Sequence, residues 1–177
     1  MKTKTLLTIL LSLILSSGWG QQLTQTFSWH GLTLNYPSDY KITDKEYDSE
    51  IDMYSFCCEY DSEEVISMVQ IGFYSIDELS GATTDFKQEF CEESVSDALS
   101  EMRSNATEFR ASAISQNTSL SYPNSYCTFS HTIMGIKIQG KIVAFIKSNY
   151  LIFCVIQTET SSQMQTVESI VKSIKVN

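Results

Sequence analysis

The sequence predicts an α/β (α+β) fold, an antiparallel β-sheet sandwiched between helices. Three observations carry that expectation. Most of the chain alternates apolar and polar residues with period two, only two stretches take the helical period, and short turn signals separate the strand candidates.

The first twenty residues are not fold material. Lys2 and Lys4 precede the ten-residue apolar run Leu6–Leu15, and small residues follow at Ser16, Ser17, Gly18 and Gly20. A spanning helix needs about 20 apolar residues, so this run reads as a signal peptide, with cleavage after Gly20 the best fit. No Cys follows the run directly, which argues against a lipid anchor. The expectation is a signal peptide at 1–20 and a single domain at 21–177.

Within that domain, Thr24–Trp29, His30-Gly31 and Leu32–Tyr36 read as a hairpin, with Leu32, Leu34 and Tyr36 on one face. Pro37-Ser38-Asp39 breaks it, and Tyr40–Ile42 resumes extended structure. Thr43–Glu50 is charged and reads as a loop. Strands are expected at Ile51–Tyr60 and Val65–Ile76, joined by the acidic turn Asp61–Glu64. The second is apolar on both faces, which predicts cover on both sides. Thr83–Arg103 takes the helical period through Phe86, Phe90, Ala98, Leu99 and Met102, with Thr83 or Thr84 as N-cap. Glu108–Ile114 is a weaker strand and Ser115–Ser121 a polar loop. Three strands then form a meander, Tyr126–Met134, Ile136–Lys147 with a bulge or bend at Gly140, and Tyr150–Gln157. A closing helix from Ser161-Ser162 carries Met164, Val167, Ile170, Val171 and Ile174 on one face.

Charge narrows the function classes. The chain is formally −9, and loss of the signal segment removes Lys2 and Lys4 and takes it to −11. Such a surface repels nucleic acid and anionic lipid, so nucleic-acid binding is excluded. No second apolar run reaches spanning length, so no stable membrane insertion is expected after signal cleavage.

The order of elements resembles the PsbP-like superfamily, the fold of PsbP, the Ran-binding Mog protein and DcrB. The likeness lies at the two ends of the domain. Phe27–Tyr40, a short hairpin running into Tyr36-Pro37, is similar to that family's opening. Tyr126–Val176, a meander and helix closing on Ser169–Lys175, is similar to its ending. The resemblance implies the sandwiched sheet. It implies no residue roles, because members of the superfamily bind different partners.

Five cysteines remain as candidates, Cys57, Cys58, Cys91, Cys127 and Cys154. An exported chain permits at most two bridges among them, and the sequence does not choose the pairing. Neighbouring strand residues face opposite ways, so Cys57 and Cys58 do not converge on one metal. A bridge from one of them to Cys91 or to the meander fits better, with inert structural thiols the general expectation. Cys127 and Cys154 are expected two strands, about 9–10 Å, apart and therefore unbridged.

The acids Asp44, Glu46, Asp48, Glu50 and Asp52 could hold Ca²⁺ if they converged, but they lack the EF-hand's glycine and terminal Glu. His131 lies about 13 Å along the strand from Cys127, too far for a catalytic pair, and His30 fits a turn. Tyr47, Tyr54, Tyr60 and Tyr74 fall on or near the first long strand pair, whose end is the best interface candidate. The resulting expectation is an exported, periplasmic or secreted, non-enzymatic domain that binds a protein partner as an adaptor, chaperone or immunity-type module. It needs no cofactor. A small-molecule or Ca²⁺-binding domain is the alternative.

Overall fold

The computed structural model describes residues 21–62 and 64–177. The segment 1–20, where a signal peptide is expected, lies outside the described residues, as does Glu63 of the expected acidic turn. The alternating opening folds as the expected hairpin, β1 (Gln25–Trp29) against β2 (Leu32–Tyr36). His30 and Gly31 turn it at φ 44° and 83°, left-handed backbone that matches the twist of the two strands. The hairpin does not join the main sheet. It takes up the end of the chain instead, where β10 (Lys175–Val176) pairs with β2. Ser173 Oγ fixes that junction by accepting the Asn35 N–H at 2.8 Å.

The main sheet has seven antiparallel strands in the order β3-β4-β5-β9-β8-β7-β6. They are β3 (Tyr40–Asp48), β4 (Met53–Tyr60), β5 (Ser67–Ser75), β6 (Thr107–Ala111), β7 (Asn124–Ile133), β8 (Ile136–Lys147) and β9 (Tyr150–Thr158). β3 corrects the expected loop over Thr43–Glu50. It runs on to Asp48 through a β-bulge in which Asp44 and Lys45 oppose Phe56 alone. Asp44 takes φ 49° there. The extra residue shifts the alternation by one, so Tyr40 and Ile42 share a face with Tyr47. A strict period-two search loses the strand at that step.

Two helices and the small sheet cover the two faces. α1 (Thr84–Asn105) starts at Thr83, whose Oγ1 accepts the Phe86 N–H at 3.2 Å, and it packs on β6–β8. Its buried stripe is Cys91, Val95 and Leu99, at i, i+4 and i+8. The expected anchor Phe86 is 48% exposed, because the stripe is centred on a small thiol that a count of large apolar residues passes over. α2 (Ser161–Lys172) begins with a capping box, in which Thr160 Oγ1 accepts the Gln163 N–H and Gln163 Oε1 accepts the Thr160 N–H. It buries Val167, Ile170 and Val171 against β9 and β5.

Two cores result, one on each face. The first joins Leu32, Leu34, Phe56, Ile71, Ile152 and Ile170 beneath β1–β2 and α2. The second joins Val95, Leu99, Phe129, Ile142, Ile146 and Leu151 beneath α1. Each such side chain contributes about 1.5–3 kcal/mol by leaving water. β5 departs from expectation, since α1 packs chiefly on β6–β8 and Gln70 on that face stays exposed. Gly140 also departs. The β7–β8 and β8–β9 registers pass through it without a bulge. Its role is to admit the Phe129 ring, which lies directly across the ladder.

Candidate functional site

One end of the sheet carries an aromatic ladder built by strand register. Tyr47, Tyr54 and Phe73 sit side by side on β3, β4 and β5, with ring centroids 4.7 and 5.6 Å apart and planes within 30° of parallel. The β1–β2 turn closes over the ladder. His30 stacks on Tyr54 at 4.0 Å, and Trp29 meets it edge-on at 5.5 Å. The bulge in β3 is what brings Tyr47 to this face. Tyr47 is 52% exposed, and Ile51, in the four-residue turn to β4, is 57% exposed.

Carboxylates line the edge strand and turn that carry Tyr47. Asp44, Glu46, Asp48, Glu50 and Asp52 are all exposed, with Lys45 the one cation of that stretch. Tyr47 donates its phenol proton to Asp52 Oδ1 at 2.8 Å, and this bond holds the phenol above its ordinary pKa. Asp48 Oδ1 accepts the Glu50 N–H at 2.8 Å, so that carboxylate is engaged in shaping the turn. The acids point along an edge and do not gather. Among the described residues no three His, Cys, Asp or Glu side chains are placed to hold a metal ion. The surface can bury flat apolar area and attract cations.

The other candidates disperse. All five cysteines are unbonded and buried, which corrects the expected bridge from Cys57 or Cys58. Cys58 and Cys154 lie in the first core and Cys91 and Cys127 in the second, so the sheet separates them. Burial pushes the thiols up, Cys57 to about 11 and Cys58 and Cys91 to about 12. His131 is buried against Phe129, and its Nε2 lies 3.0 Å from Gln157 Oε1. Of the four tyrosines only Tyr47 and Tyr54 meet. Tyr60 packs edge-on to Tyr40 at the far end of β4, and Tyr74 points into the second core.

Two members of the aromatic end escaped sequence reading. Trp29 and His30 come to it through tertiary packing, which no local period reports. Ile51 had a visible signal, as the one aliphatic residue among Asp48, Ser49, Glu50 and Asp52.

A second concavity lies on the same face between α2 and the 117–122 loop. It is a cavity of about 80 Å³ with apolar walls from Tyr122, Val143, Phe145 and Val171. Lys141 closes one side, bonded to Glu168 at 2.7 Å and lying 4.6 Å over the Tyr126 ring.

By sequence, no known protein family and no curated protein matches the chain. By structure it is similar to cyanobacterial PsbP from Synechocystis. The TM-score is 0.54 at 15% identity, over 92% of this chain and 98% of that one. The fold is PsbP-like. A Bacteroides thetaiotaomicron protein is also similar, with a TM-score of 0.51 at 12% identity over 88% of this chain. This chain spans 49% of that protein's length. The two ends of the domain, which carry the sequence resemblance, meet at β2–β10. The fold assigns no residue a role.

Proposed function

We propose that this PsbP-like protein is an exported, non-enzymatic domain, periplasmic or secreted, that binds a protein partner through its aromatic end. The observation that carries this reading is the half-exposed Tyr47–Tyr54 stack, with Ile51 exposed in the adjoining turn, Asp52 bonded to Tyr47 and four more exposed carboxylates along the same edge. Tyrosine and tryptophan anchors inside a polar rim are the composition of a protein interface. The rim's sign calls for a partner with a basic surface, and it makes the association weaken as salt rises. Export rests on the signal-like segment at 1–20.

The test is a cross-linking pull-down of the tagged protein at native expression level, with wild type compared to a Tyr47→Asp/Ile51→Asp variant. One near-stoichiometric partner, lost in the variant, supports the reading. A partner retained by the variant removes the aromatic end from it, and no partner in repeated trials removes the reading itself.

The small-molecule alternative draws on a different observation, the apolar cavity between α2 and β8. Its occupant would be small and largely apolar. A ligand screen that raises the melting temperature of wild type, and fails with Val143→Trp, would favour it over the protein-binding reading.

A further inference from the structure

The β7–β8 hairpin ends in residues whose exposure runs against their chemistry. β9 stops at Thr158, which pairs with Gln139, so the rungs His131–Ile138, Thr132–Lys137 and Ile133–Ile136 continue past it. Three rungs at about 3.3 Å each carry the turn about 10 Å beyond the end of β9, while β6 accompanies β7 as far as the Thr107–Thr132 rung. Met134 and Gly135 make the turn at φ 49° and 84°. Asn-Gly is the pair that adopts this backbone with least strain, and Met meets a steric cost there that Asn or Gly avoids. Met134 is 100% exposed, Ile136 42% and Ile133 36%. Three exposed large apolar side chains and an ill-suited turn residue therefore coincide at one protruding point. Such a local departure from both patterning and turn chemistry marks a functional surface.

Cations stand around this point. Lys137 is one rung below the turn, and Arg110 lines the same hollow as Lys137. Arg103, on the last turn of α1, lies 6.0 Å from the Phe109 ring centre. Among the described residues the ion pairs are made by Lys41 and Lys141, so none of these three has a carboxylate within 4.0 Å. Two acids are near. Glu108 accepts the Thr132 hydroxyl at 2.7 Å, and Glu101 lies on the α1 side of the tip. Three cations against two carboxylates contrast with the −9 of the whole chain. At physiological salt the screening length is about 8 Å, so a surface touching the tip feels the local charges.

We propose that this tip is a peripheral membrane contact. Ile133, Met134 and Ile136 enter the headgroup–acyl boundary of an anionic phospholipid surface, and Arg103, Arg110 and Lys137 face the lipid phosphates. Beyond the Thr107–Thr132 rung only the Ile133–Ile136 rung and the turn project, which suits a shallow contact at the headgroup boundary. An anchor this short gives weak, reversible binding. It lies at the end of the strands opposite the aromatic end, because β9 starts beside the β3–β4 turn and finishes beside the β7–β8 turn. Lipid and protein partner therefore do not compete, and this proposal stands whether or not the aromatic end binds a protein.

The buried native thiols make the test selective. Met134→Cys in the full chain carries an environment-sensitive fluorophore, and Thr128→Cys, exposed on β7 about 20 Å away, is the control. Vesicles rich in phosphatidylglycerol should blue-shift the label at 134 and leave the label at 128 unchanged. Phosphatidylcholine vesicles should have a much smaller effect. Lys137→Ala in the labelled chain should weaken the apparent partition several-fold. In the unlabelled chain, Met134→Glu should lower co-sedimentation with anionic vesicles about ten-fold. An unshifted label at 134, equal shifts at both positions, or an equal response to neutral vesicles would overturn the proposal. A shift produced by lipid-free protein extract in place of vesicles would also overturn it and assign the tip to a protein pocket.

Discussion

Gly140→Ala is the sharpest test of how the second core is assembled. A Cβ at that position would lie 2.0, 2.3 and 2.5 Å from three atoms of the Phe129 ring. Ordinary carbon contacts begin near 3.5 Å, so the ring must retreat by about 1.5 Å. It has little room, being stacked on Phe109 at 5.8 Å and against His131 at 5.7 Å. Overpacking of this kind costs about 1–3 kcal/mol. Against it stands a gain of about 0.5–1 kcal/mol from removing a flexible glycine. The net expectation is a loss of about 1 kcal/mol, or about 2–4 °C in melting temperature for a domain of this size. Urea and thermal unfolding followed by circular dichroism would measure it. The same substitution in a Phe129→Ala background should be neutral or stabilising, which gives a coupling of about 2 kcal/mol. A Gly140→Ala protein as stable as wild type, or an equal loss in both backgrounds, would refute the reasoning.

Three further outcomes follow from the structure. Thr160→Ala removes the capping box of α2 and should cost about 1 kcal/mol, read as a melting temperature about 2–4 °C lower. The buried thiols, raised from 9.0 to about 11 at Cys57 and about 12 at Cys58 and Cys91, should react with a disulfide reagent at pH 8 only after unfolding. Because the folded state holds these protons more tightly, their stabilisation is complete below pH 9 and is lost as pH climbs towards about 12. Urea midpoints should fall over that range, and less steeply for Cys58→Ala. Tyr47→Ala, at a half-exposed edge position, should change stability by about 1 kcal/mol or less while sharply reducing partner capture.

Where the chain follows one period, the fold was legible in the sequence. Leu32, Leu34 and the His30-Gly31 turn announce the first hairpin. The Met164–Ile174 stripe announces α2, and the Tyr126–Gln157 meander was displaced by only a residue or two. The errors have local causes. A single extra residue at Asp44 reversed the alternation and hid the second half of β3. Cys91 and Val95, set among Glu92, Glu93 and Asp97, concealed the buried stripe of α1. Gly140 looked like a bend because sequence does not show which ring lies across the ladder. Tyr47 and Tyr54 were visible in the sequence as neighbours in a tyrosine-rich stretch. The composition of the aromatic end needed tertiary structure, since Trp29 and His30 arrive from a different sheet. The apolar tip was misplaced for a simpler reason. Met134 continues the apolar character of β7, and only its φ of 49° moves it into the turn.

Site-specific photo-cross-linking tests the central claim most directly. A photoreactive residue is placed in turn at Tyr47, at Ile51 and at Thr128, and the protein is expressed at native level in its own cells. The account predicts one protein adduct shared by positions 47 and 51, absent at 128, and weakened by added salt. No adduct at 47 or 51, or the same adduct at all three positions, would contradict it.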